Sequence, residues 1–130
     1  MIMNMQITIR KINEIEIPAV TSLQVAEAFG KEHRNVLRDI REIIESDTDN
    51  FALLNFERCS YTNENNREMP MYAMSKDGFV LLVMGYTGSE AMRLKKAYIA
   101  RFNEMEEELR NRVPGLPNFD NPALAARAWA

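Results

Sequence analysis

The residues best suited to chemistry fall in one stretch: Arg34, Asn35, Arg38 and Arg41, spaced so that a helix would set the three arginines one turn apart on a single face. These residue types suit recognition of a DNA duplex. A guanidinium forks onto the O6/N7 edge of guanine, a carboxamide pairs with the N6/N7 edge of adenine, and further arginines neutralise phosphates. On that reading Arg34 and Asn35 meet bases, and Arg38 and Arg41 meet phosphates. The same spacing also fits a solvated helix face, with Arg38 paired to Glu42 and Arg41 to Glu45 at i,i+4. Lys31 and His33, just ahead of the arginines, complete the candidate DNA-contacting set in this stretch. His33 is the only histidine and lies on the stripe continued by Leu37, Ile40 and Ile44, so a packed or capping role competes with a phosphate contact at the helix start.

A second candidate lies at Asn63-Glu64-Asn65-Asn66-Arg67-Glu68, a polar connector between two strand-like runs. Asn66 and Arg67 at the tip of such a hairpin could reach a phosphate or the minor groove, against the alternative of an ordinary polar loop. Lys95, Lys96 and Arg101 alternate around Tyr98 and Phe102, first a sign of a packed aromatic face with basic side chains snorkelling at its flanks and second of contact with a nucleic-acid backbone. Other chemistry has little to work with. One histidine, one cysteine and scattered carboxylates make no triad and no metal cluster, and no glycine-rich phosphate loop is present. No catalytic residue, metal or cofactor is therefore assigned, and the chain is not expected to be an enzyme. Cys59, without a partner for a disulfide, is expected half-buried on a strand, in keeping with a reducing compartment.

These residues need elements to position them. Ile7, Ile9, Ile15 and Ile17 alternate around Asn13-Glu14 and predict an amino-terminal hairpin over 7–20, with Pro18 ending its second strand or placing it at an edge. Thr21 and Gln24 have the capping-box spacing, which starts a helix that carries Leu23, Val25, Ala26 and Phe29 inward and stops at Gly30. A second helix, 32–45, buries Val36, Leu37, Ile40, Ile43 and Ile44 at a 3.6-residue period. After a polar break at 46–50, residues 51–55 suit one helical turn. Strands at 56–62 and 69–74 form the hairpin around the asparagine-rich tip, a wing if it follows a helix-turn-helix, with Pro70 limited to an edge position. Ser75 or Asp77 caps an apolar helix over 78–84 with little polar face. A long helix runs from Ser89 to about Arg112, and Tyr98, Phe102, Met105 and Leu109 follow the three-and-four spacing of a coiled-coil seam, which predicts a homodimer interface; the competing reading packs Tyr98 and Phe102 on the domain's own apolar helix and leaves Met105 and Leu109 for a partner. Pro114, Gly115 and Pro117 end it, and 122–129 read as the beginning of a further helix.

With 130 residues and 46% hydrophobic content the chain fits one α+β core, divided as hairpin 1–20, main domain 21–112 and tail 113–130. No run of eighteen apolar residues occurs, and Arg10, Lys11, Glu14 and Glu16 break the start where a signal peptide would be apolar, so a soluble cytoplasmic protein with no membrane partner is expected. The net charge of -3 argues against indiscriminate nucleic-acid binding, which rests on phosphate neutralisation, and leaves binding through one face or as an oligomer. Glu104, Glu106, Glu107 and Glu108 form an acidic run directly after the basic segment Arg93 to Arg101.

Three motifs in order carry a family resemblance. Val25-Ala26-Glu27 is followed by Gly30-Lys31-Glu32-His33 and Asn35-Val36-Leu37-Arg38-Asp39-Ile40, then Asp77-Gly78-Phe79, then Tyr98-Ile99 with Phe102-Asn103-Glu104-Met105. Together they closely resemble the Rha family of phage regulatory proteins over about 21–106, and the order of elements is similar to the amino-terminal domain of the viral Bro proteins. The resemblance implies a phage or prophage regulator in a bacterial host, with a DNA-binding amino-terminal domain and a phage operator as its double-stranded target. Members of the family are often followed by an antirepressor-type domain, whereas this chain stops at Ala130, so such a domain is expected to be absent or cut away. The expectation is therefore a winged helix-turn-helix-like domain with an amino-terminal β-hairpin and a long carboxy-terminal helix. Its expected role is sequence-selective DNA binding in control of phage gene expression. The alternative is an antirepressor-type module whose acidic helix docks on a repressor or host regulator.

Overall fold

The computed structural model describes residues 7–112 as an α+β fold with an antiparallel amino-terminal hairpin and a long carboxy-terminal helix. The helix end and further helix expected beyond Arg112 lie outside the described residues. Strands β1 (Thr8–Ile12) and β2 (Ile15–Thr21) are joined by Asn13 and Glu14, both at positive φ (52° and 67°), the left-handed pair that a two-residue hairpin turn requires. Pro18 does not end β2. It sits opposite Ile9, while β4 pairs with β2 only at Val20 and Thr21, so on its other side Pro18 faces no ladder that would need its missing N–H.

Helix α1 (Ser22–Phe29) opens with the expected capping box: Gln24 N–H donates to Thr21 Oγ1 at 3.2 Å, and Thr21 N–H donates to Gln24 Oε1 at 3.0 Å. It closes at Gly30, whose φ of 67° suits a residue without Cβ. Residues 30–32 turn the chain into α2 (His33–Ser46). Val36 and Ile40 are fully buried, with Ile43 and Ile44 packed beside them. Leu37 is a correction. It is only half-buried, because it stands one turn from Arg41 at the border of the exposed face. The polar break at 46–50 caps the short helix α3 (Phe51–Asn55): Asp47 and Asp49 accept the N–H groups of Ala52 and Phe51 at its start. Ala52 is buried, whereas Phe51, Leu53 and Leu54 remain exposed.

Strands β3 (Phe56–Thr62) and β4 (Glu68–Met74) pair in antiparallel register from Phe56↔Met74 to Thr62↔Glu68 and complete a sheet of order β1-β2-β4-β3. Pro70 faces Ser60 where β4 has no β2 residue opposite, which explains its tolerance as it does that of Pro18. Ser75 then caps α4 (Lys76–Val83) by accepting Gly78 N–H, and α5 (Ser89–Arg112) comes last. Gly78 cannot be larger: an added Cβ would stand 2.6 Å from the Asn55 carbonyl oxygen.

The core lies where α4 is wrapped by α1, α2, α5 and the sheet. Phe79 is at its centre, with Tyr98 and Phe102 at ring-centroid distances of 5.1 and 5.8 Å, and Phe29 touches Phe79, Tyr86 and Tyr98. This corrects the dimer seam read from the sequence. Tyr98, Phe102 and Met105 are 1%, 0% and 8% exposed within the domain, because α4 has almost no polar face and the apolar stripe of α5 covers it. The fourth seam residue, Leu109, is half-buried in a cleft beside Ile15 and Ile17 of β2. Among the described residues no helix is long and apolar enough to cross a membrane.

Candidate nucleic-acid interface

Helix periodicity places Arg34, Arg38 and Arg41 along one face of α2, and all three are exposed. Their partners are local and loose. Arg34 Nε lies 2.9 Å from Glu32 Oε1, with both side chains largely in solvent, and Arg38 donates to Asn35 Oδ1 at 3.2 Å and lies 3.7 Å from Asp39. Arg41 has no side-chain partner among the described residues, and the expected Arg38–Glu42 and Arg41–Glu45 pairs do not form. Exposed ion pairs of this kind contribute only about 0–1 kcal/mol, so an incoming polyanion displaces them at little cost.

His33 makes the contacts of the packed alternative read from the sequence. Ser22, fully buried at the start of α1, accepts Tyr72 N–H of β4 at 3.0 Å, and its Oγ lies 2.9 Å from His33 Nε2. Ser22 Oγ thus accepts from Tyr72 and shares its second hydrogen bond with His33 Nε2, the direction of which follows the imidazole tautomer. Burial holds the imidazole below its ordinary pKa, opposed by the Glu27 carboxylate. Its ring meets the Tyr61 ring of β3 edge-on at 5.7 Å. His33 therefore joins the start of α2 to the stem of the β3–β4 hairpin, and its Nε2 is taken. Ser22 and Tyr61, which complete this joint, carry no local sequence signal, since each is defined by a partner far along the chain.

Beyond the Tyr61↔Met69 pair the hairpin tip is rigidly hydrogen-bonded. Asn63 N–H donates to Arg67 C=O, Asn63 Oδ1 accepts the N–H groups of Asn65 and Arg67, and Asn66 takes φ 61°. The Arg67 side chain is exposed and has no ion-pair partner among the described residues. The tip thus stands a few residues, roughly 10 Å at strand rise, from a stem anchored on α2. Lys31 is exposed, and its Nζ lies 4.6 Å over the Tyr86 ring, a cation–π contact. Cys59 is half-buried on β3, as expected, and burial pushes its thiol up, so it is no ready nucleophile. The described residues hold no group of three or more metal-ligating side chains.

The class these features define is a small α+β domain whose exposed basic residues sit on one helix face and an adjoining hairpin tip. The family model of phage regulatory protein Rha matches residues 20–107, and the chain belongs to that family of phage regulators. It is similar to an uncharacterized protein of Haemophilus influenzae, 47% identical over 100 residues, 76% of this chain and 58% of that protein. It is also similar to an uncharacterized 22.8 kDa protein in the gp15-gp3 intergenic region of Salmonella phage P22, 38% identical over 96 residues, 72% of this chain and 47% of that protein. The chain thus spans about half the length of the curated relatives it matches. No solved structure matches it.

Proposed function

We propose that this region is the DNA-binding part of a phage regulator, a winged helix-turn-helix with α2 in the major groove and the β3–β4 hairpin as its wing. The observation that carries this reading is the His33–Tyr61 contact, which sets the hairpin stem at the same end of α2 from which Arg34, Arg38 and Arg41 run. The topology supports it: a strand, two helices joined by a short turn, the short helix α3, then a hairpin whose returning strand pairs with that first strand. Arg34 and Asn35 lie at the helix start, where base edges are read, and Arg38, Arg41 and Arg67 meet phosphates. Asn66 contributes through the tip backbone rather than through a charge. Two copies bind one operator, because a single copy offers few phosphate contacts. The buried stripe of α5 is not available to join them.

The protein-partner alternative through the acidic end of α5 has less support, since Arg101 lies 3.1 Å from Glu104 and 4.0 Å from Glu108 and offsets part of that charge. The test is a gel shift with DNA from the regulatory region of the source phage against a mixed-sequence duplex of equal length. Retardation of the first at low protein concentration supports the reading, and equal or absent retardation of both sinks it.

A further inference from the structure

Beside β2 lies an open groove of ≈ 580 Å³, with Ile15, Ile17 and Pro18 of that strand and Leu109 and Arg110 of α5 among its lining residues. None of the residues assigned to DNA lines it, so what fills it does not depend on the DNA reading. Its open part is apolar: Ile15 is 59% exposed, and Ile17 and Leu109 are half-buried.

The backbone of β2 supplies the second observation. Ile12 and Ile15 flank the two-residue turn and form a hydrogen-bonded pair, and such pairs alternate along an antiparallel ladder, so Ile17 and Ala19 also turn their main-chain groups to β1. Those of Glu16 and Pro18 point the other way. Among the described residues no strand pairs with them there, because β4 meets β2 only at Val20 and Thr21 and the chain then turns into α4 at Lys76. The Glu16 N–H and the Glu16 and Pro18 carbonyls thus form a short open strand edge, which favours an extended chain laid against it.

α5 ends at Arg112, two residues past Arg110 of the groove, so the segment after it starts at the groove. Residues 1–6, by contrast, lead into β1 on the opposite edge of β2. The segment after α5 reads Val113-Pro114-Gly115-Leu116-Pro117-Asn118-Phe119. Proline followed by glycine at the two central positions is the signature of a type II turn, which reverses the chain over 113–116. Pro117 then biases Leu116 to extended backbone. Leu116 and Phe119 are three residues apart and share one side of an extended chain with three residues per turn. Their separation is roughly 9 Å at 3.1 Å per residue, close to the roughly 10 Å that three strand steps cover from Ile15 to Pro18.

We propose that residues 116–119 of this same chain fold back into the groove, with Leu116 and Phe119 on Ile15, Ile17 and Leu109 and main-chain N–H groups against the open carbonyls of β2. Only a four-residue turn has to close, at small entropic cost, which favours this segment over any chain supplied from solution. The domain then extends to Phe119 instead of ending with α5.

The test uses the full chain labelled with ¹³C and ¹⁵N. NOEs from the Phe119 ring to the methyl groups of Ile15, Ile17 and Leu109 are expected, and they should survive tenfold dilution. Isotope-filtered spectra of mixed labelled and unlabelled chains, which report only contacts between copies, should lack them. Ile15→Asp should abolish these NOEs and shift the amides of 115–119, with a cooperative urea transition confirming that the domain stays folded. Gly115→Val, which denies the turn its positive φ, should abolish them too, whereas Met92→Asp, an exposed apolar residue near the other end of α5, should leave them intact. The proposal is overturned if the parent chain lacks these NOEs, if they appear in the filtered spectra and so make a second copy the occupant, or if they persist in both Ile15→Asp and Gly115→Val.

Discussion

Arg41→Ala gives the sharpest measurement of the α2 face, because Arg41 is the exposed arginine of that face that has no partner to lose. On the proposed reading its removal should lower DNA affinity without rearranging anything else. If Arg38, Arg41 and Arg67 each neutralise one phosphate per protomer, log K falls with log salt at a slope of about −2.7, since each contact contributes about −0.9. Between about 50 and 200 mM salt that is an affinity loss of about 40-fold, and with one contact removed the loss shrinks to about 12-fold. Fluorescence anisotropy on a labelled half-site duplex, short enough to take one copy, at four or five salt concentrations resolves the difference. Melting should stay within about 0.5 kcal/mol of the parent, as for an exposed helix position. Two results refute the reasoning: an unchanged slope in Arg41→Ala, which takes α2 off the phosphate backbone, or a marked loss of stability, which means that the side chain is structural.

Gly78→Ala should destabilise by about 1–3 kcal/mol, as overpacking does, because its Cβ has nowhere to go but into the Asn55 carbonyl; urea midpoints measure it. Phe102→Ala should cost about 3–5 kcal/mol, whereas half-buried Leu37→Ala should cost less than about 2 kcal/mol, and a reversal of that order in denaturant melts would mean that α2 is rotated. Since burial lowers the pKa of His33, the unfolded chain takes up the proton first. The stability from neutral His33 is therefore complete above its ordinary value of 6.5 and is lost as pH falls from there through the lowered native value. Stability curves of the parent and His33→Gln should diverge in that window, and parallel curves would remove the Ser22–His33 joint.

Legibility tracks the range of the forces. The capping box of Thr21 and Gln24, the left-handed Gly30 and the asparagine-rich tip are satisfied within a few residues, so their spacing alone announces them. The stripe Tyr98, Phe102, Met105 is equally visible, but three-and-four spacing is the same whether the facing helix belongs to another copy or to this chain. What decides it is α4, whose lack of a polar face demands a cover. The Asp77-Gly78-Phe79 motif is recognisable without its reason, which is the carbonyl of Asn55 on another helix. Pro18 fits a strand end and an edge position equally in sequence, because its tolerance at a local edge depends on how far β4 extends alongside β2. The contacts of His33 and Lys31 are illegible for the same cause: their partners Ser22, Tyr61 and Tyr86 come from other elements, and charge or position near a helix start does not reveal them.

The arginine face is short, and its length constrains how the chain would read DNA on the proposed function. Glu32 precedes it and Glu45 falls on the same face after it, so phosphates are welcome only between Arg34 and Arg41. Seven steps of helix rise cover about 10 Å, the length of about three base pairs. Three base pairs, even with Arg67 on the flank, do not single out an operator among the many sites of a genome. Selectivity therefore requires a second copy, and with the α5 stripe used inside the domain the two copies need only share a DNA site, not a helical seam. Hydroxyl-radical footprinting on the phage regulatory region should then show two short protected patches whose centres lie one helical turn, about 34–36 Å, or a multiple of it, apart. A sedimentation titration on the same duplex should give two chains per site, with the salt slope of Arg41→Ala shifted by about 1.8 rather than 0.9. One patch with one bound chain and high selectivity would refute the two-copy reading, since a single α2 would then be extracting more sequence information than its arginine face can carry.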